Sequence, residues 1–311
     1  IGDVYRLAAG RVNNPTIRLS AIREGGTFVP RPVSITNTSP ADYSEKLDAA
    51  VVTLDGSARA AGGLVALAGM ATNSSAMTLS LASTGTAGPR TGSASVRFSS
   101  NGIGTTELPA EPVGDLSSVA VSGEIYRLAR PVWSGSNVSF GNVRVGASGL
   151  TRDLKVLNDV DQDGYSDLLR VTRQSAAGGV DLASVVSAVD AGEEGVVRIG
   201  MAGPLTQPGR QTGSLILNQI SQGRSGTGLA DFNVGQTTVS TDVTVYRPAA
   251  PVLARNSIDF GVTRLGNAFR TESLVLTNSA ANDGFSESLT ARFGTKSGDA
   301  ITNNGTVTRL S

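Results

Sequence analysis

Apolar and polar residues alternate in short runs along this chain, with a period of two. Val33 and Ile35 flank Ser34, Leu154 and Val156 flank Lys155, and Leu274 and Leu276 hold the same places further on. Successive side chains of a strand point to opposite faces, so the pattern predicts half-buried β-strands. Met77, Leu79 and Leu81 alternate likewise, with Val197, Ile199 and Met201 as counterparts. Further strands are expected at 1–8, 16–19, 31–36, 94–99 and 118–126, and again at 215–220 and 238–246. Pro89 with Thr91-Gly92-Ser93, and Pro208 with Thr212-Gly213-Ser214, read as turns. Residues 99–107 and 221–229, rich in Gly, Ser and Asn, read as loops. A short helix is suggested only at 58–66, where Gly62-Gly63 weakens it.

The pattern also repeats over a longer distance, which decides architecture before any single element does. Tyr5, Tyr126 and Tyr246 each open a Tyr-Arg step and lie 121 and 120 positions apart. Leu19, Phe140 and Phe260 each follow fourteen positions later. Arg23, Arg144 and Arg264 stay in step, as do Gly25, Gly146 and Gly266. Asn37, Asn158 and Asn278 sit thirty-two positions after the Tyr. Tyr43, Tyr165 and Phe285 come next, with one residue deleted in the first copy. All five tyrosines fall on these two columns.

Each full unit thus holds about seven short strands in roughly 120 residues, the signature of an Ig-like β-sandwich. The expected fold is all-β: tandem Ig-like β-sandwich repeats of about 120 residues forming an elongated rod. The units are drawn at 9–128, 129–248 and 249–311, the last being the first half of a repeat. Residues 1–8 match the closing strand of a preceding repeat. The link 126–131, Tyr-Arg-Leu-Ala-Arg-Pro, is short and contains Pro, so it should be stiff. The third unit keeps strands at Phe260-Gly261 and 273–277 but lacks counterparts of 197–201, 215–220 and 238–246. It is expected to be poorly packed unless a continuing chain or a neighbouring molecule completes it. The natural chain is expected to continue on both sides.

Composition narrows the function. The chain has 311 residues with 26 basic and 26 acidic side chains. Zero net charge argues against a nucleic-acid partner and against polybasic membrane attachment. No apolar run is long enough to span a bilayer as a helix. There is no cysteine and no histidine. That excludes disulfide scaffolds, thiolate metal sites and histidine-based catalytic dyads and triads.

Ser-Phe-Gly-Asn-Val-Arg-Val-Gly (139–146), followed by a strand ending in Leu157-Asn158, resembles the opening of hydin-like (ASH) Ig-like domains. The aromatic-Ser-acid step (Tyr43-Ser44-Glu45, Tyr165-Ser166-Asp167, Phe285-Ser286-Glu287) and the Val/Ile-Tyr-Arg ending are closer to the bacterial repeats called choice-of-anchor D. The first unit departs from the pattern, with Leu19-Ser20 in place of Phe-Gly. The resemblance implies a large secreted or surface-anchored bacterial protein and carries no catalytic residues.

The sharpest local chemistry is Asp159-Val-Asp161-Gln-Asp163-Gly164-Tyr165-Ser-Asp167. Alternate carboxylates around a Gly turn, with the Tyr165 carbonyl, offer hard oxygen ligands to calcium. The competing reading is a solvated loop, since Asn37 to Asp42 and Asn278 to Gly284 lack two of the three spaced acids. Arg23, Arg144 and Arg264 are read as binding strand-end carbonyls, and Arg6, Arg127 and Arg247 as fixing the angle to the next unit through its Asp or Glu. Trp133 is placed at the interface of units one and two, and the Tyr43, Tyr165 and Phe285 column in the cores. The functional expectation is a non-enzymatic structural segment of an extracellular bacterial surface protein, self-associating into a rod, filament or surface layer. The alternative is an adhesin stalk or carbohydrate-binding module that uses loops such as 221–229.

Overall fold

The computed structural model describes residues 2–83, 85–298 and 305–311. Every regular element among them is a strand. Two hydrophobic cores form, one from residues between Ala8 and Ile125, the other from residues between Ala129 and Val245. Each lies between facing sheets, so the chain consists of Ig-like β-sandwich repeats.

The second unit shows the plan most fully. One sheet runs Asn137–Arg144, Phe232–Tyr246, Gly209–Gln222, Leu168–Ala177, Val186–Val189. The opposite sheet runs Pro131–Trp133, Thr151–Asn158, Glu194–Met201, Val180–Ser184. Alternation does what the sequence requires: Leu215 and Leu217 are buried while Ser214, Ile216 and Asn218 lie partly open. The first unit repeats the larger sheet, with Thr16–Arg18 and Ile22–Arg23 both on Glu111–Tyr126. Its other layer is split into two three-stranded pieces. The single strand expected at 31–36 is accordingly divided, Arg31–Pro32 in one piece and Ile35–Asn37 in the other.

Several expectations are corrected. Residues 58–66 are strands: Ala58–Gly62 pairs with Met77–Leu81, where Ala58, Ala60, Ala61 and Gly62 allow close contact, and Leu64–Leu67 pairs with Lys46–Gly56. Gly62, at φ +82°, passes so near Ala76 that a Cβ would lie 2.0 Å from its carbonyl oxygen. The turn expected at Pro89 with Thr91-Gly92-Ser93 lies inside the long strand Gly88–Asn101, and Thr212-Gly213-Ser214 of the other lies inside Gly209–Gln222, with Pro208 just before it. Gly92 and Gly213 are there for close backbone approach: a Cβ would stand 2.5 Å from Ala58 N in one case and 2.8 Å from Ala177 O in the other. Residues 2–8 hold a single β-bridge at Arg6 rather than a strand, and Ile1 lies outside the described residues.

Residues 249–311 differ from both units. Among the described residues their strands are Pro251–Leu253, Leu276–Asn278, Leu289–Arg292 and Thr306–Leu310, joined as two separate pairs. No described residue beyond Val245 belongs to a buried hydrophobic core. Phe260 is 37% exposed where its counterpart Phe140 is 2% exposed. The strand expected at Phe260-Gly261 is not formed. In the second unit the matching strand pairs only with Phe232–Tyr246, and the described residues hold no counterpart of that partner.

Candidate functional site at the joints between units

The most repeated side-chain arrangement lies where one unit hands over to the next. At Arg127 the chain leaves the first unit. Its N–H donates to Tyr165 O (2.8 Å) and its carbonyl accepts from Asp167 N (2.9 Å), one parallel β-bridge centred on Ser166. Arg247 does the same with Phe285 O and Glu287 N, at 2.9 and 3.0 Å. Arg6 does it with Tyr43 O and Glu45 N, at 2.8 and 2.9 Å. The aromatic-Ser-acid step is therefore the receiving edge for the Tyr-Arg step.

The side chains reinforce that backbone contact. Tyr5 meets Tyr43, Tyr126 meets Tyr165 and Tyr246 meets Phe285, with ring centroids 5.8, 5.8 and 6.2 Å apart and tilted by 51–54°. Tilted rings at this distance attract through their quadrupoles beyond the area they bury. The aromatic column is thus joint, not core, and this explains why all the tyrosines share two columns. Gly164 and Gly284 turn the chain into the aromatic with φ of +86° and +81°. In the first unit that Gly is deleted, and Tyr43 itself takes the left-handed conformation at φ 53°.

Arginine then meets acid. Arg127 Nη1 donates to Asp163 Oδ2 at 2.7 Å, and Arg247 Nη1 to Asp283 Oδ2 at 2.6 Å. These partners lie in the following unit, as expected for this arginine column. Burial disfavours the Asp163 anion, but the Tyr165 N–H and the Arg127 guanidinium outweigh it and hold the pKa below the usual carboxylate value. Asp283 is lowered first by Arg247 and then by the Phe285 N–H.

The second arginine column departs from expectation. Arg23 crosses the joint: Nε donates to Asp167 Oδ2 at 2.8 Å and Nη2 to Ala230 O at 2.7 Å, with the guanidinium 5.9 Å from the Phe232 ring centroid. Arg144 repeats the move to Glu287 at 2.6 Å. A long planar fork reaches a carboxylate better than a strand-end carbonyl of its own sheet. Asp167 is fully buried and also accepts from Ser221 Oγ at 2.7 Å. Ser221 Oγ in turn accepts from Ala129 N at 2.9 Å, as Ser100 accepts from Ala8 N at 2.8 Å and donates to Glu45 at 2.6 Å. These serines escaped the sequence reading, although they sit 121 positions apart like the Tyr-Arg steps.

Buried Asn158 ties the joint to the sandwich. Its Oδ1 accepts from Arg130 N and its Nδ2 donates to Asp167 O and Val189 O. Asn37 and Asn278 make the same set.

A scan against protein-family models finds no match, and no curated protein matches the chain. Solved structures do show similarity. A protein of unknown function from Porphyromonas gingivalis aligns at 13% identity over 76% of this chain and 99% of its own, with TM-score 0.28. The ASH/PapD-like domain of human CEP192 aligns at 8% identity over 39% of this chain and 87% of its own, with TM-score 0.28. The human desmocollin-1 ectodomain aligns at 9% identity over 93% of this chain, with TM-score 0.40. This chain spans about half the length of that ectodomain structure (51%). The sandwich assignment rests on sheet order and on the two cores rather than on these values.

The residues read as calcium ligands are placed as follows. Asp159 pairs with Arg130; Asp161 and Asp163 pair with Arg127; Asp167 pairs with Arg23. The Tyr165 carbonyl accepts the Arg127 N–H. Among the described residues no three acids are grouped to hold a metal ion. As arranged, the five residues do not fit a cation, because arginine supplies the opposite charge to each acid. Trp133 is not at the interface of the first two units. It pairs with Val156 and packs on the second core.

Proposed function

We propose that this chain is a non-enzymatic structural segment of an extracellular bacterial surface protein of the choice-of-anchor D and ASH-like type. Its tandem units build a stiff rod that serves in a filament, stalk or surface layer. The observation that carries this reading is the joint. One backbone bridge, one aromatic pair and the arginine-to-acid contacts recur at a fixed period, which is what holding successive units at one angle requires. The unit boundaries 9–128, 129–248 and 249–311 belong to this proposal. Histidine and cysteine are absent, and Asp167 Oδ2 in the joint is held by Arg23 and Ser221, which supports a non-catalytic reading.

Small-angle scattering and electron microscopy of the 311-residue chain test it. The expected result is an extended particle with the first two units at one fixed angle. A broad distribution of angles between them would overturn the rod. Saturable binding on a glycan array, lost when 221–229 is trimmed, would instead favour a carbohydrate-binding module.

A further inference from the structure

Within the larger sheet of each unit, the opening strand (the first of that sheet in chain order) and the closing strand lie side by side and run parallel. In the second unit Asn137–Arg144 pairs with Phe232–Tyr246, from Asn137↔Ser240 to Arg144↔Tyr246. In the first, Thr16–Arg18 and Ile22–Arg23 pair in the same sense with Glu111–Tyr126, ending at Arg23↔Tyr126. A chain pulled from its two ends first draws on the three-residue strand of the other sheet, Gly10–Val12 or Pro131–Trp133, and then drags the opening strand of the larger sheet toward its N-end and the closing strand toward its C-end. For parallel neighbours those points lie at opposite ends of the contact, so the strands slide and every bond between them is loaded together. Antiparallel neighbours would present both points at one end and peel bond by bond.

From this placement we infer that each complete unit is a shear clamp built to bear tension along the chain. The inference rests on the rod reading and gives it a mechanical role. Three features support it. The opening strand is anchored by buried Val138 and Phe140, against Val239, Val243 and Val245 on the closing strand, so water is kept from the loaded bonds. The clamp is prolonged past its last registered pair by Val145 N donating to Tyr246 O at 2.9 Å, matched by Glu24 N to Tyr126 O at 3.0 Å. The arginine of each last pair, Arg23 or Arg144, is the one that reaches into the next unit. Load crossing the joint is therefore shared between the peptide link and the clamp itself.

Single-molecule stretching of the full chain tests this. Two unfolding events are expected, each releasing roughly 400 Å of contour at about 3.5 Å per residue. Residues 249–311, without a buried core among the described residues, should add no resolved peak. Val145→Pro removes the donor to Tyr246 and should speed forced unfolding of the second unit roughly fivefold, the effect of one net hydrogen bond, with the first unit unchanged. A second measurement leaves the fold intact: handles on Asn137→Cys and Thr238→Cys, both exposed in a chain with no native cysteine, pull the same strands from their N-ends. Unfolding force should then fall well below the end-to-end value. Equal force in both directions, or no peak end to end, would overturn the clamp. Weak peaks in a particle that scatters as a fixed rod would sink the clamp and spare the rod. Strong directional peaks in a chain of freely hinged units would do the reverse.

Discussion

The two inner joints use the same residues in the same order, yet they are not equally enclosed. At the first, the Arg23 side chain is 18% exposed and the Asp167 side chain fully buried. At the second, Arg144 is 72% exposed and Glu287 33%. The backbone bridge, the aromatic pair and the short arginine-to-Asp contact barely differ between them. What differs is the wall around the long arginine arm. Ala230 O and Phe232, which receive Arg23, come from the closing half of the second unit. The described residues of 249–311 offer no counterpart. A joint therefore has a local part, the contiguous Tyr-Arg and aromatic-Ser-acid steps, and a remote part drawn from elsewhere in the receiving sandwich.

The largest expected effect separates those two parts. Arg23→Ala would strand the buried Asp167 carboxylate without its ion pair, a loss of about 3 kcal/mol for the second unit. Arg144→Ala removes an exposed pair and should leave that unit's stability unchanged within error. Urea unfolding followed by Trp133 fluorescence reads the second unit, since this single tryptophan packs on its core. Equal shifts of the midpoint in the two variants would dissolve the distinction between an enclosed and an open joint.

The local part was legible in the sequence and the remote part was not. Tyr-Arg and aromatic-Ser-acid stood out because each is contiguous and recurs in three copies. That Tyr126 meets Tyr165, 39 positions away, could not be read from periodicity, which aligns columns without saying which columns touch. The same blindness placed Arg23 on its own sheet, although its partner lies 144 positions on, in the next repeat. Glycine misled for a different reason. Gly92 and Gly213 permit close strand contact, but beside Pro, Thr and Ser they carry the composition of a turn. Core positions such as Leu79 and Leu217 were legible, because strand alternation fixes which side chain faces inward.

A middle-sized effect is expected from the asparagine column. Asn158→Ala leaves Arg130 N, Asp167 O and Val189 O without partners in a buried place and should cost about 2 kcal/mol by the same fluorescence readout. Asn278→Ala breaks the matching contacts where no core surrounds them, and the Trp133 transition should not move. A shift from Asn278→Ala as large as from Asn158→Ala would show that the third segment stabilises the second unit far more than its exposure suggests.

Acid should weaken both joints through their shared part. Asp163 and Asp283 both have pKa values lowered in the folded chain. A lowered folded pKa contributes stability that is fully present above the unfolded value, near 4, and is lost as pH falls through the folded one. The unit angle measured by scattering should therefore hold from pH 8 to about 5 and broaden below about 4. The change should be modest, because these pairs are partly solvated. Broadening on the alkaline side would mean that another group governs the joint.

The smallest effect concerns calcium, and the comparison of joints bears on it directly. The second joint has Ser279 and Ala281 where the first has Asp159 and Asp161, yet it forms the same clasp. The extra acids are thus not needed to shape the loop. In the first joint they face Arg127 and Arg130, so a cation would have to displace both guanidinium groups before gathering its oxygens at about 2.3–2.6 Å. Exposed pairs of this kind contribute little, well under about 1 kcal/mol each. Chelator should leave the melting temperature where it was, and Asp161→Ala should be nearly silent. If calcium instead raises the melting temperature by binding the folded loop, and Asp161→Ala abolishes the rise, the loop would be a cation site that arginine merely fills in the ion's absence. The first joint would then be tightened by calcium while the second, lacking those acids, would not.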